Sequence, residues 1–110
     1  MKKISFTLPD GVDISLYRAA DGTWCCPVCG SVELQDQPYY AEGGASFEMC
    51  NVCGFEFGYD DEPLASGTHI SSLQSNWIHW RQKLLKAAKF NEAKYNMLVE
   101  QLKNIEASVE

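Results

Sequence analysis

Apolar and polar residues alternate on both sides of a turn sequence near the start of the chain. Every second residue is apolar from Ile4 to Leu8 and again from Val12 to Leu16, and Pro9-Asp10-Gly11 lies between the two stretches. A period of two on each side of a Pro-Asp-Gly turn is typical of a β-hairpin. The sequence therefore predicts two antiparallel strands at this end.

Apolar positions alternate again around two cysteine-containing segments, CPVCG at residues 26–30 and CNVCG at residues 50–54. We call these segments the first and the second knuckle. Alternation with a period of two favours short strands. The residues that alternate in this way are Val32 and Leu34, then Phe47 and Met49, and then Phe55, Phe57 and Tyr59. Three short strands around two such knuckles are the outline of a zinc ribbon.

From Thr68 onward the apolar period becomes helical. Apolar residues recur at spacings of three and four at Leu73, Trp77, Trp80, Leu84 and Ala87, and the arc is widened by Ile78, Leu85 and Ala88. Such an arc covers about half of the helix circumference and needs to be buried against other parts of the chain. We therefore expect Trp77 and Trp80 to be mostly buried and Ser71 or Ser72 to cap the helix.

A second helix follows, for which Asn91 is the expected N-cap. Its narrower apolar seam, expected to face the first helix or the sheet, consists of Tyr95, Leu98, Leu102 and Ile105. Together these elements predict an α+β fold in which an N-terminal β-hairpin and a four-cysteine zinc ribbon pack with two C-terminal helices. We expect a single domain over residues 1–110, with a β-rich zinc-ribbon part at 1–67 and a helical part at 68–110.

The two knuckles repeat the frame C-x-x-C-G, which brings two sulfurs together where the chain turns tightly. Glycine after the second cysteine permits the left-handed backbone that such a turn often needs. A tetrahedral structural zinc takes four ligands, and the two knuckles supply that number. We therefore predict one structural zinc ion, with iron as a metal that four thiolates also accept. The predicted ligands are Cys26, Cys29, Cys50 and Cys53.

Other interpretations of the cysteines stay open. In one alternative the knuckles are two unconnected reduced pairs. In another, one knuckle is a redox pair of the thioredoxin type, although no βαβ pattern surrounds either knuckle. Cys25 lies one residue too far from Cys29 to belong to the first knuckle. We expect it to be a small buried or half-buried thiol, and the alternative is a spare ligand or a reactive thiol.

The composition suits one domain with a real core, because 45% of the 110 residues are apolar. No apolar run approaches the roughly 20 residues needed to cross a bilayer. The first residues, MKKISFTLPDG, lack the apolar segment of a signal peptide. We therefore expect a cytoplasmic protein without membrane contact. In that reducing compartment, closely spaced cysteines are more often metal ligands than disulfides.

Charge is distributed unevenly along the chain. Residues 1–62 hold three basic and eleven acidic side chains, a net of −8, whereas residues 63–110 hold six basic and four acidic ones, a net of +2. An acidic front half is a poor match for phosphate backbones and a good match for a basic protein. We therefore expect a basic protein partner and no nucleic acid. The candidate partner-binding residues, just beyond the second knuckle, are Asp60, Asp61 and Glu62.

No catalytic constellation is legible in the sequence. His69 and His79 have no obvious Ser or Asp partner that would complete a nucleophilic triad, and neither is needed as a ligand once four cysteines are counted. A site with four protein ligands has no open position for water, which is typical of structural zinc. We therefore expect that the protein is not an enzyme.

The segments CPVCG and PYYAEGGASFEMCNVCGFEFGYDDE resemble a family of small bacterial cysteine-rich proteins, the CPCC-type family. The resemblance covers residues 26–62 and extends loosely to the tryptophan helix and to EQLKNI at residues 100–105. It implies a zinc ribbon. Because some members resemble immunity proteins encoded near polymorphic toxins, it also implies a role of that kind. The sequence departs from the family pattern at the doubled Cys25-Cys26 and at Asn51, where proline is more usual, and the family supplies no catalytic residues to transfer.

These observations predict a non-enzymatic, zinc-stabilised protein-binding module of the immunity or antitoxin type, which neutralises a basic bacterial toxin. A rubredoxin-like electron carrier is one alternative, because it uses the same four thiolates, but two helices after residue 70 do not belong to that fold. A nucleic-acid-binding zinc ribbon is the other alternative. Its basic strip would consist of Lys83, Lys86, Lys89 and Lys94, but the ribbon itself is acidic.

Overall fold

The chain begins with the predicted β-hairpin. The computed structural model describes residues 1–9, 11–61 and 73–107. Strand β1 (Lys2–Thr7) pairs antiparallel with strand β2 (Asp13–Arg18), and Ile4 lies opposite Leu16. The alternating residues of β2 point inward, so that Ile14 and Leu16 are buried while β1 contributes partly buried side chains. The hairpin prediction is confirmed.

Two shorter strands connect the hairpin to the first knuckle. Strand β3 (Trp24–Cys25) pairs with β2 and leads into the knuckle, and strand β4 (Val32–Leu34) leads out of it and pairs with β3. The sheet therefore has four antiparallel strands in the order β1-β2-β3-β4. The first knuckle is the connection between its last two strands, which fixes the knuckle at one end of the sheet.

The segments around the second knuckle form isolated bridges, Tyr39 with Ala45 and Met49 with Glu56, where the sequence predicted strands. Phe55 and Phe57 are buried as expected. The other three alternating side chains do not face the core. Those that lie exposed are Phe47 (66%), Met49 (54%) and Tyr59 (63%).

The backbone at Phe47 explains this difference. Its φ is +62°, in the left-handed region that aromatic residues rarely adopt, so the extended backbone that alternation assumes is interrupted there. Gly58, with φ of +101°, lies against the Phe47 ring and turns the opposite segment away. Of the alternating residues around the second knuckle, only Phe55 and Phe57 are therefore buried, and the other three side chains project into solvent.

Helix α1 (Leu73–Ala88) carries the predicted apolar stripe. Trp77 is 6% exposed, and Leu85 and Ala88 are buried, whereas Trp80 is half-buried. Ile78 and Ala87 are exposed, so the arc is narrower than the sequence suggested. The predicted helix start at Thr68 and the predicted caps Ser71 and Ser72 lie outside the described residues.

Helix α2 (Glu92–Leu102) begins at the expected cap. The Asn91 side chain accepts a hydrogen bond from the Lys94 backbone N–H at 3.1 Å, and a 3₁₀ turn (Lys103–Ile105) follows the helix. The predicted seam packs against Leu85 and Ala88 of α1, as well as against the sheet. Its buried members are Leu98, Leu102 and Ile105. With these helices and the antiparallel sheet in place, the α+β class is confirmed.

The core consists of two apolar clusters that meet at the first knuckle. One contains both knuckles, the inner face of the hairpin and Trp77. The other joins the two helices to Tyr17 and Cys25. Cys25 is fully buried in the helical cluster and its neighbour Cys26 in the ribbon cluster, so the doubled cysteine bridges the two. The expectation that Cys25 is a small buried thiol is confirmed.

Helix α2 packs so closely on the first knuckle that only glycine fits there. A Cβ atom on Gly30 would overlap the carbonyl of Gln101, whereas a Cβ on Gly54, at the equivalent position of the second knuckle, would meet nothing within 4 Å. Both glycines have left-handed backbones, with φ of +84° and +76°. Substitution of Gly54 therefore tests the backbone strain alone, whereas substitution of Gly30 tests the strain together with the packing of α2.

We predict that Gly54→Ala lowers the free energy of unfolding by about 1–2 kcal/mol, the cost of a left-handed alanine. Gly30→Ala adds the displacement of α2, and we expect a loss above about 4 kcal/mol. Urea unfolding of the zinc-loaded proteins measures both. Equal losses for the two variants would show that α2 does not press on the first knuckle.

Candidate metal centre

The two knuckles have the same backbone geometry. In the first, the Gly30 N–H donates to the Cys26 carbonyl at 2.8 Å; in the second, the Gly54 N–H donates to the Cys50 carbonyl at 2.8 Å. The N–H of each first cysteine donates to the carbonyl of the residue just after the knuckle, at 2.8 Å for Ser31 and 3.0 Å for Phe55. Two tight turns of one kind therefore present two sulfurs each.

The four predicted ligands are brought together. Their Sγ atoms all lie within 4.8 Å of one another. The Sγ atoms of Cys26 and Cys53 are 3.7 Å apart, as are those of Cys29 and Cys50. A tetrahedron with metal–sulfur bonds of about 2.3 Å has sulfurs about 3.8 Å apart. The spacing therefore fits one tetrahedral ion, and the protein has four cysteines positioned to bind a metal.

Each of the four sulfurs comes from a buried residue, and they form the one such group of Cys, His, Asp and Glu ligand atoms within residues 1–9, 11–61 and 73–107. His79 lies outside this group, and His69 lies outside the described residues. Four sulfurs complete a tetrahedral shell without leaving a position for water. The chemistry of the donor set therefore suits a metal that stabilises the fold.

The protonation of the thiols links metal binding to pH. Hydrogen bonds from Cys26 and Cys29 lower the pKa of Cys50, whereas burial raises the pKa of Cys26 well above its usual value. Without a metal the four buried thiols therefore keep some of their protons. A dication that binds them would displace these protons, because the ligands are thiolates. The metal-bound protein holds fewer protons than the metal-free one, so metal affinity falls as the pH falls.

Side chains outside the ligand set hold the knuckles. The Ser31 hydroxyl lies 3.3 Å from the Sγ of Cys50 and 3.4 Å from that of Cys29. The Asn104 side chain, in the 3₁₀ turn, donates to the Gly30 carbonyl at 3.0 Å. Such contacts orient the ligands of a metal and tune its affinity.

Helix α1 contacts both knuckles with two consecutive side chains. Trp80 Nε1 donates to the Cys53 carbonyl at 2.9 Å. Arg81 donates through Nε to the Val28 carbonyl at 2.7 Å and through Nη2 to the Pro27 carbonyl at 3.0 Å. The sequence analysis missed Arg81. Its signal was a cation four residues after Trp77 and four before Leu85, on the face of α1 that is otherwise apolar.

The acidic residues proposed for partner binding have structural contacts of their own. The Asp60 carboxylate accepts the Glu56 N–H at 2.9 Å, and the Asp60 carbonyl accepts a hydrogen bond from the Asn76 side chain at 2.6 Å. Burial, and after it the charge of Asp61, raises the pKa of Tyr39. Both aspartates are half-buried, and Glu62 lies outside the described residues. Asp60 and Asp61 therefore lie in one turn, and Asp60 stabilises that turn through its own hydrogen bonds.

The comparisons with known proteins found no matching family model, no matching curated protein and no matching solved structure. The resemblance to the CPCC-type family therefore stays a prediction. Neither of the described helices has the length and apolar character needed to cross a membrane.

Adjacent cysteines offer a matched test of the ligand set. We predict that Cys26→Ala abolishes stoichiometric zinc binding, because three thiolates no longer complete the shell. Cys25→Ala should retain one zinc per chain, because Cys25 lies in the helical cluster away from the four sulfurs. Elemental analysis of both purified variants gives the stoichiometry. Loss of zinc in the Cys25 variant would contradict the assigned ligands.

Proposed function

We propose that this protein is a non-enzymatic protein-binding module whose fold is stabilised by one structural zinc ion. The observation that carries the proposal is the closed, buried set of four sulfurs, Cys26, Cys29, Cys50 and Cys53. Such a set offers no vacancy at which a substrate would reach the metal. Structural zinc sites contribute on the order of 10 kcal/mol to folding, which is comparable to the whole stability of a small domain.

The proposed contact surface lies on the solvent side of the second knuckle. We call it the knuckle patch, and it consists of Phe47, Met49 and Tyr59, all more than half exposed. The Phe47 ring lies against Gly58, which precedes Tyr59, and Met49 is two residues beyond Phe47. Aromatic residues and methionine are enriched in protein interfaces, where they serve as anchors.

The orientation of Phe47 supports a binding role. A left-handed backbone at an aromatic residue costs of order 1–3 kcal/mol and persists only where the surroundings enforce it. Here the strain keeps a large apolar side chain in solvent rather than in the core. A metal-held knuckle next to the patch limits the entropy lost on binding.

The partner that fits this surface is basic. Residues 1–62 carry a net charge of −8, and Glu56, Asp60 and Asp61 lie in the same segment as the knuckle patch. Carboxylates around an apolar anchor accelerate encounter with a surface rich in Lys and Arg. A toxin that acts on nucleic acid has such a surface, and an acidic protein bound to it occupies the place of the phosphate substrate. Neutralising a basic toxin is therefore the specific function we propose.

The product of the adjacent reading frame is the probe for this proposal. Phe47→Ala combined with Tyr59→Ala removes two anchors but no charge and no metal ligand. Phe90→Ala is the matched control, because Phe90 is 90% exposed in the turn between the helices. We expect the double variant to bind at least about 30-fold more weakly, as for the loss of a 2 kcal/mol hot spot. The control should stay within about twofold of the wild type.

Calorimetry gives the affinities, and survival on co-expression gives the protection. An adjacent gene product that does not bind the zinc-loaded wild type would refute the toxin partner. Equal weakening by Phe90→Ala would refute the knuckle patch. Sub-micromolar, salt-sensitive binding of a DNA or RNA oligomer would instead favour the nucleic-acid alternative.

A further inference from the structure

The proposed zinc centre carries a negative charge that needs compensation. Four thiolates and one Zn²⁺ sum to −2, and the four cysteines that hold this charge are buried. A buried charge is costly unless hydrogen bonds or an opposite charge compensate it. The Ser31 hydroxyl, close to the Sγ atoms of Cys29 and Cys50, supplies one dipole at the knuckles. A nearby cation would balance the remaining negative charge of the centre.

Arg81 is the side chain that meets this need. All nine lysines and arginines lie in the described residues, and Arg81 alone among them is not exposed. Its guanidinium donates to the carbonyls of Pro27 and Val28, the two residues between the ligands Cys26 and Cys29. It also lines, together with Cys29, the interface between the first knuckle and the helices.

We infer that Arg81 is the internal counter-cation of the metal centre, a positioning residue that holds the first knuckle and stabilises the charge of the metal–thiolate group. This inference rests on the proposed structural zinc. The planar fork of arginine reaches two carbonyls at once, which a lysine ammonium cannot do with the same geometry.

The first test measures zinc affinity by competition with a chromophoric chelator. Arg81→Met keeps most of the apolar stem and removes the charge, and Lys83→Met removes one charge from an exposed position of the same helix. We expect Arg81→Met to bind zinc at least about tenfold more weakly, the effect typical of an outer contact to a metal ligand. Lys83→Met should remain within about twofold of the wild type, and Arg81→Lys should fall between the two.

The second test separates charge from packing through the reduction potential of the iron-substituted protein. A four-thiolate centre carries −1 with ferric iron and −2 with ferrous iron, so a nearby cation favours the reduced state. Arg81→Met should therefore lower the potential, by 59 mV for each tenfold change in the ratio of ferrous to ferric affinity. Arg81→Lys should restore most of the potential, because it restores the charge, and Lys83→Met should leave it near that of the wild type.

The possible outcomes distinguish this inference from the proposed function. If the wild type binds no stoichiometric zinc, the structural-zinc proposal fails, and the inference fails with it. If the wild type binds zinc and Arg81→Met matches it in affinity and potential, only the inference is overturned. A weaker affinity with an unchanged potential also overturns it, because that result assigns Arg81 to packing alone.

Discussion

The rest of the structure depends on the convergence of four buried sulfurs between two chain turns. The knuckles are separated by residues 31–49, yet their sulfurs approach to 3.7 Å in two pairs. Without a cation, that arrangement concentrates buried thiols that resist ionisation together. A dication bound by these four sulfurs would link the two segments directly. The short strands and isolated bridges nearby orient the two turns.

The helices complete what a small ribbon lacks. A ribbon of this size has a small core of its own. The two helices add a second buried cluster to it, and a metal bound by the four sulfurs would stabilise it further. Helix α1 reaches the second knuckle through Trp80 and the first through Arg81, while α2 packs against Gly30. The outer side of the second knuckle is left exposed, and the proposed function uses that surface.

Local signals made much of this fold predictable. The hairpin, both knuckles and the Asn91 cap depend on residues close together in sequence, and each of these features is present. The outward direction of Phe47 was not predictable, because periodicity assumes an extended backbone and Phe47 has φ of +62°. For Arg81 the sequence showed only a cation on an apolar helix face. Its partners were not predictable, because they are carbonyls more than fifty residues earlier in the chain. Patterns of residue type report local structure, whereas contacts of this kind arise only from the tertiary arrangement.

The proposed function depends on one metal ion that is enclosed by four cysteine sulfurs and by nothing else. X-ray absorption at the zinc edge of the purified full-length chain measures this directly, because it counts the nearest neighbours of the metal and identifies them by element. We expect a single shell of four sulfurs at about 2.3 Å. A shell that contains oxygen or nitrogen, or fewer than four sulfurs, would contradict the closed centre and reopen the question of chemistry at the metal.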